Sequence, residues 1–211
     1  MMKNISLIIF ILIFSITATN AQNDKDEAYN MLLEKYGKAK SLALKFKYKK
    51  DLTTSVIECS LRIAQNNKYI LEQGNNIIYC NGKTLWNYFK KENKVIISNF
   101  EANSEVQSFE NLFFNLIKLY KPTGMSKESS STGVSLYCLD LAPTDASQMN
   151  EDIKSIKLKF DIKTYLIRAV ELVREQGREE VRFSKIDINP KFTAQTFDFT
   201  PPKDAKVIDL R

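Results

Sequence analysis

The sequence predicts an α+β, mainly β fold: a single curved antiparallel sheet, an unclosed half-barrel of about eleven strands, covered by a lid of two or three helices. Three observations point there. Apolar residues recur at every second position through much of the chain, as in Ile156, Leu158 and Phe160 against Lys157, Lys159 and Asp161, the pattern of a sheet wet on one side. Turn signals separate these runs at short intervals, so successive strands form hairpins without long crossovers. Two segments of helical spacing interrupt the alternation and are the available covers for a curved apolar face.

The N-terminus stands outside this fold. Lys3 supplies a positive start, Ile5–Ile16 is an apolar run broken only by Ser6 and Ser15, and Thr19-Asn20-Ala21 offers small residues for cleavage before Gln22. Residues 1–21 therefore read as a cleaved signal peptide, and residues 22–211 as one domain without an internal boundary or repeat. Twelve residues rise only about 18 Å as a helix, against a hydrocarbon core of roughly 30 Å, which argues against a membrane anchor. No cysteine sits at the cleavage site, so no lipid anchor is expected. The mature chain keeps 211 − 21 = 190 residues, and loss of Lys3 takes the formal charge from +6 to +5.

Asp24 to about Tyr36 reads as the first helix. Ala28, Met31, Leu32, Tyr36 and Ala39 share helical spacing, Asn23 or Asp24 serves as cap, and Gly37 as break. The period then becomes two. Leu42–Lys50, Val56–Ile63, Lys68–Glu72, Ile77–Cys80, Leu85–Phe89 and Val95–Ser98 are strand candidates forming a meander. Asn81-Gly82 is the strongest hairpin signal, because both residues tolerate positive φ. Within Ser104–Tyr120, the residues Phe109, Leu112, Phe113, Leu116, Ile117 and Tyr120 define one apolar helix face, widened by Phe114 and Leu119. Lys121 to Thr132, with Pro122, Gly124 and three consecutive serines, reads as a linker. Strands resume at Val134–Leu141, Ser155–Asp161, Leu166–Glu175, Glu179–Asn189 and Thr196–Phe199, and the polar Pro143–Glu151 connection has room for a short helix.

The composition removes whole classes of function. With 44% hydrophobic and 27% charged residues the chain is neither an integral membrane protein nor disordered. It has no histidine, which removes histidine acid–base chemistry and imidazole metal sites, and only six glycines for phosphate-binding loops. Glu171 and Glu175 are a formal carboxylate pair, but same-face strand spacing sets them about 13 Å apart, beyond the roughly 5–9.5 Å that glycosidases use. Cys59, Cys80 and Cys138 fit no metal knuckle or redox motif; one disulfide is open to them, and packing as small hydrophobes is the favoured reading. Lys45, Lys47 and Lys49 face opposite to Leu44, Phe46 and Tyr48, which suits a solvated sheet face. Nothing resembles a nucleic-acid-binding motif. The expectation is no enzyme, no cofactor and no metal.

Particular residues carry a resemblance. The stretch Ile78-Tyr79-Cys80-Asn81-Gly82-Lys83-Thr84-Leu85-Trp86-Asn87-Tyr88 is similar to the hairpin motif of the LolA-like periplasmic lipoprotein carriers. The stretch Thr196-Phe197-Asp198-Phe199-Thr200-Pro201-Pro202, continued by Val207-Ile208-Asp209, resembles that family's C-terminal motif, and Ile156–Gly177 its strand pair. Asn81 stands where the family usually has Asp, and Arg174-Glu175-Gln176-Gly177 replaces an Asp-x-x-Gly. Ala64-Gln65-Asn66-Asn67-Lys68-Tyr69 lacks the Arg-Pro pair that ties sheet to lid in carriers of the enterobacterial type. The resemblance implies a soluble, monomeric periplasmic carrier that shelters acyl chains in its cavity. It takes lipoproteins, or a related lipid, from an inner-membrane extruder of the LolCDE kind to an outer-membrane acceptor. The missing pair motivates a second reading, a regulatory RseB-like sensor of lipid or lipoprotein on the same half-barrel.

Carriage asks for a particular build. One sixteen-carbon chain costs on the order of 12 kcal/mol to hold in water, at about 0.8 kcal/mol per methylene. Full complementarity to three chains would pass the practical ceiling of roughly 20 kcal/mol on binding, so a loose, uncharged, branched and aromatic lining under a movable lid suits both shelter and release. The expected lining is Leu44, Phe46, Tyr69, Leu71 and Trp86 from strands, with Phe113, Leu116 and Ile117 from the second helix.

Overall fold

A computed structural model describes residues 16–50, 55–100, 119–129, 135–144 and 153–211. One helix, α1 (Ile16–Gly37), precedes β1 (Ser41–Lys50), β2 (Val56–Ala64), β3 (Lys68–Gln73), β4 (Asn76–Asn81), β5 (Thr84–Phe89) and β6 (Lys94–Asn99). The chain continues as β7 (Tyr120–Ser129), β8 (Ser135–Pro143), β9 (Ile153–Phe160), β10 (Ile167–Arg174), β11 (Gly177–Ile188), a 3₁₀ turn (Ala194–Phe197) and β12 (Lys206–Asp209). The twelve strands among the described residues form one open sheet in the order β12-β6-β5-β4-β3-β2-β1-β11-β10-β9-β8-β7. Every pair is antiparallel except β12 with β6. Among the described residues α1 is the single α-helix, in place of two or three, and no helix is long and apolar enough to cross a membrane.

The two halves of the sheet join where β1 pairs β11, from Leu42 opposite Ile188 to Lys50 opposite Glu179. Alternation then assigns the faces. Leu42, Leu44 and Phe46 lie on one face and are buried, while Lys45, Lys47 and Lys49 lie on the other and are exposed. The same division holds on β9, where Ile156, Leu158 and Phe160 are buried and Lys157 and Lys159 pair with Asp140 and Glu128 at 3.7 and 2.8 Å. We call the apolar face that carries α1 the inner face. Ala28, Leu32 and Tyr36 of α1 pack there against Tyr120, Leu139, Leu141, Ile156, Leu158 and Phe160. Met31, expected on the apolar stripe, is 40% exposed.

Several elements differ from their sequence expectation, each for a local reason. α1 begins at Ile16, so Asn23 and Asp24 lie within it, and it ends at Gly37 as expected. Residues 120–129, expected to end a helix and form a linker, are β7. Pro122 is tolerated because β7 is an edge strand, and Gly124 follows a register shift opposite Asp140. The remainder of the predicted Ser104–Tyr120 helix, through residue 118, lies outside the described residues. Thr196 and Phe197 belong to a 3₁₀ turn instead of a strand, because Thr193 and Thr196 cap each other and the Thr196 and Asp198 amides donate to the Thr193 and Gln195 carbonyls. The twelfth strand, Lys206–Asp209, arises from parallel pairing with β6.

The Asn81-Gly82 hairpin also works differently. Only Gly82 has a positive φ, at 90°. Asn81 acts through its side chain, whose Oδ1 accepts from the Lys83 and Thr84 amides at 3.0 and 2.9 Å. The double left-handed turn occurs two hairpins earlier, at Asn66 and Asn67 between β2 and β3, where the resemblance lacked its Arg-Pro pair. The two turns touch: a Cβ on Gly82 would lie 2.5 Å from the Asn66 carbonyl oxygen. Gly74, with φ of 57°, has nothing within 4 Å of its Cβ position.

Gly74→Ala is therefore expected to lower stability by about 1 kcal/mol through backbone conformation alone. Gly82→Ala should lose more, on the order of 2–3 kcal/mol, since steric overlap adds to the same strain. Urea denaturation of both variants checks the ordering; equal losses would mean the two turns are not in contact.

Candidate functional site

Register builds the inner face as cross-strand rows. The central row runs Ile186, Leu44, Leu61, Leu71, Ile78, Asn87, Ile96, Ile208 across β11, β1, β2, β3, β4, β5, β6 and β12. One neighbouring row is Ile188, Leu42, Ile63, Tyr69, Cys80, Leu85, Ser98. The row on the other side is Phe183, Phe46, Cys59, Gln73, Asn76, Phe89, Lys94. Strands are about 4.8 Å apart, so the aliphatic stretch from Ile186 to Ile78 spans on the order of 19 Å. Leu42, Leu44, Phe46, Leu61, Ile63, Tyr69, Leu71 and Cys80 form one buried cluster, distinct from the cluster under α1; Phe183, Ile186 and Ile188 pack against both.

Four of the predicted lining residues, Leu44, Phe46, Tyr69 and Leu71, thus come together on this face. Trp86 does not. It pairs with Tyr79 and Ile97 in an outer-face row, because Asn87 and Leu85 take the inward positions of β5. Phe113, Leu116 and Ile117 lie outside the described residues. Leu61 and Ile63 escaped the prediction although β2 alternation alone would have found them. Asn76 and Asn87 carry no sequence signal for their inward orientation, since the turn lengths on either side decide it.

The outer face of β3–β6 is covered by the chain's own C-terminal segment. Phe197 is buried against Ile70 and Ile77, with Phe192 edge-on to it at 5.3 Å. Phe199 stacks on Tyr79 at 4.3 Å and leans on Tyr88 at 5.6 Å. Asn81 Nδ2 donates to Asp198 Oδ1 at 2.8 Å, and Asn93 Nδ2 to Asp204 Oδ2 at 2.9 Å. The hairpin motif and the C-terminal motif are thus two sides of one contact.

On the inner face α1 is pinned by tyrosines. The Tyr29 hydroxyl donates to the Tyr120 carbonyl at 2.7 Å. The Tyr36 hydroxyl donates to the Tyr165 carbonyl at 3.3 Å and accepts from the Ile167 amide at 3.0 Å. Burial raises both phenols above their ordinary range; at Tyr36 the Ile167 amide opposes that rise. Burial likewise raises Tyr69, beside the Cys80 thiol. No cysteine is bonded to another, in keeping with the packing reading. Cys138 is pushed up to about 11 by burial, reinforced by its hydrogen bond to Glu128. Glu128 is itself lowered by Lys159. A thiol held protonated in this way is no nucleophile at neutral pH. Among the described residues no group of three or more Cys, Asp or Glu is placed to hold a metal.

Against known families, the chain matches the one described as "Outer membrane lipoprotein carrier protein LolA" over residues 68–200, from β3 through the C-terminal motif. No curated protein matches it. Among solved structures it is similar to an uncharacterized conserved protein from Thermus thermophilus, at 12% identity, covering 85% of this chain and 98% of that one, with a TM-score of 0.51. It is also similar to the lipoprotein LppX of Mycobacterium tuberculosis, at 11% identity over 81% of this chain and 96% of that one, TM-score 0.45. A LolA superfamily protein from Nitrosomonas europaea aligns at 11% identity over 81% and 97%, TM-score 0.39. At these identities the likeness is one of fold.

Two outcomes follow from the side chains themselves. Tyr36→Phe strands the buried Ile167 amide and should cost about 1–3 kcal/mol by urea denaturation; an unchanged midpoint would show that the hydroxyl holds nothing. The unfolded chain releases the Cys138 proton near pH 9, whereas the folded chain holds it to about 11. Its contribution to stability is therefore full below pH 9 and is lost as pH rises toward 11. Cys138→Ala should flatten the fall in denaturation midpoint over that window, leaving the part due to the raised tyrosines, Cys59 and Cys80.

Proposed function

The chain belongs to the LolA outer-membrane lipoprotein carrier family, and from that premise we propose that it is a periplasmic carrier whose inner face shelters acyl chains of lipoproteins. The observation that supports this most is the inner-face row Ile186–Leu44–Leu61–Leu71–Ile78, uncharged and aliphatic across adjacent strands. Contacts between such side chains and hydrocarbon stabilise by about 25 cal/mol per Å² of apolar area kept from water, without directional bonds that would slow release. The protein makes and breaks no covalent bond. It is exported by its N-terminal signal, whose removal before Gln22 would leave α1 beginning at Gln22. It works as a monomer, receives cargo from an inner-membrane extruder, and passes it to an acceptor of higher affinity. Sheltering requires no proton transfer, which suits a chain without histidine.

The test is purification from the exporting cell, followed by mass spectrometry of what co-extracts. Acylated lipoprotein or its lipid should be found, and the gene should rescue a carrier-depleted strain. A lipid-free protein that fails to rescue, and that instead binds a signalling protein regardless of inner-face substitutions, would overturn transport in favour of sensing. A residue-level contrast accompanies it. Leu71→Ala should weaken binding of the apolar probe N-phenyl-1-naphthylamine by about tenfold, near the worth of two methylenes. Trp86→Phe, on the opposite face, should leave it unchanged.

A further inference from the structure

We propose that Asn87 and Asn76 form a polar recognition site at the margin of the inner face, which binds the amide that joins an acyl chain to its peptide. The proposal rests on the acyl-carrying reading above and adds to it a head-group determinant.

Asn87 is the one polar side chain in a row otherwise made of Ile186, Leu44, Leu61, Leu71, Ile78, Ile96 and Ile208. Asn76 is its diagonal neighbour: Asn76 pairs with Phe89, two residues on from Asn87 along β5, and Asn87 pairs with Ile78, two on from Asn76 along β4. Diagonal neighbours of this kind stand about 7–8 Å apart, close enough for both to reach one small group. The Oδ1 atoms of both are shielded from solvent, and neither has a hydrogen-bond partner among the described residues. Other asparagines spend their side chains on structure: Asn81 on its own turn and Asp198, Asn93 on Asp204 and Tyr88, and Asn189 on the Lys40 amide.

Asparagine is a poor strand former, and a shielded carboxamide oxygen without a donor costs about 1–3 kcal/mol. Two such atoms side by side, at the boundary of an apolar floor, are what a site awaiting a ligand retains. Their chemistry selects the ligand. A carboxamide offers an acceptor, or a donor after a half-turn of the amide, and carries no charge. Its complement is a neutral group that both donates and accepts. A secondary amide does so; an ester only accepts, and a fatty-acid carboxylate would bring an unpaired charge to a neutral site. The nearest cation in these rows, Lys94, lies over the Phe89 ring at 4.7 Å. With its amide at Asn87 and Asn76, an acyl chain takes the direction of the row from Ile78 and replaces packing that now buries Leu71, Leu61 and Leu44.

The experiment compares two probes on the full mature chain: an N-palmitoyl-Cys-Ser-Ser amide and N-phenyl-1-naphthylamine, which has no acyl amide. Asn87→Leu and Asn76→Leu should each weaken the palmitoyl peptide by about tenfold, the net size of one buried hydrogen bond, and leave the naphthylamine unchanged. Asn87→Gln should keep part of the peptide affinity. The ligand-free melting temperature of both leucine variants should hold or rise, because an unsatisfied group has been removed. A drop in melting temperature, or equal losses for both probes, would assign the asparagines to structure and overturn the site. So would unchanged peptide affinity, while naphthylamine binding would still leave the acyl-carrying reading standing. If the unsubstituted protein binds neither probe, that reading fails and the site with it.

Discussion

The pairing of β1 with β11 is the constraint on which the rest depends. It joins two meanders, β2–β6 and β7–β10, that would otherwise be separate sheets with separate cores. It also sets a common parity. Because side chains alternate with period two, a slip of one residue would bring Lys45, Lys47 and Lys49 inward in place of Leu44, Phe46 and Tyr48. The register shift between Lys45 and Phe46 leaves that parity intact, and Ile186, Leu44 and Leu61 stay in one row. Partners lie some 140 positions apart in sequence, as with Ser184 Oγ donating to the Lys45 carbonyl at 3.1 Å. Closing such a loop carries most of its entropic cost before the contact rewards it.

Once the sheet exists and does not close, each face needs its own cover, and the two covers differ in character. The outer face of β3–β6 is sealed by aromatic stacking and side-chain hydrogen bonds from the C-terminal segment, with Phe199 on Tyr79 and Asp198 on Asn81. That contact is short, directional and internally satisfied, the profile of a permanent closure. On the inner face α1 seals the β7–β10 end through Tyr29 and Tyr36. Along the rest of that face, from β1 to β5, the central row is aliphatic as far as Asn87, and the rows beside it carry Phe46, Tyr69 and Phe89 with the polar Gln73 and Asn76. Contacts there are broad and weakly directional, unlike those under the pinned helix.

The sequence was most legible where one local rule operates alone. Strict alternation placed β1 to β6 and β8 to β11 within a few residues, and Gly37 marked the end of α1. It was least legible where two rules compete. Pro122 and Gly124 signal a break, yet an edge strand accepts both, and edge position is unknowable before the sheet order. Thr196–Phe199 alternates like a strand, yet Thr193 and Thr196 cap each other into a turn. Lys206–Asp209 is too short to read until β6 offers it an edge. Leu44, Phe46, Tyr69 and Leu71 are legible because one parity links them. Trp86 breaks that parity: a two-residue turn at Asn81-Gly82 and the observed loop from Asn81 to Thr84 both set it outward, on the face of Ile77 and Tyr79, so its expected place in the lining fails on alternation itself.

By itself, then, the sequence determined the period-two pattern, the apolar residues available for a floor, the family motifs, and the absence of imidazole chemistry. These are properties of composition and near neighbours, which the chain carries folded or not. Which residues share a face across eight strands, that the two family motifs close on each other, and that two asparagines turn inward beside an aliphatic row were decided only by tertiary structure. The physical reason is that face assignment propagates from strand to strand through turn length and register. An error of one residue at any turn reverses every side chain beyond it, and only the assembled sheet removes that ambiguity.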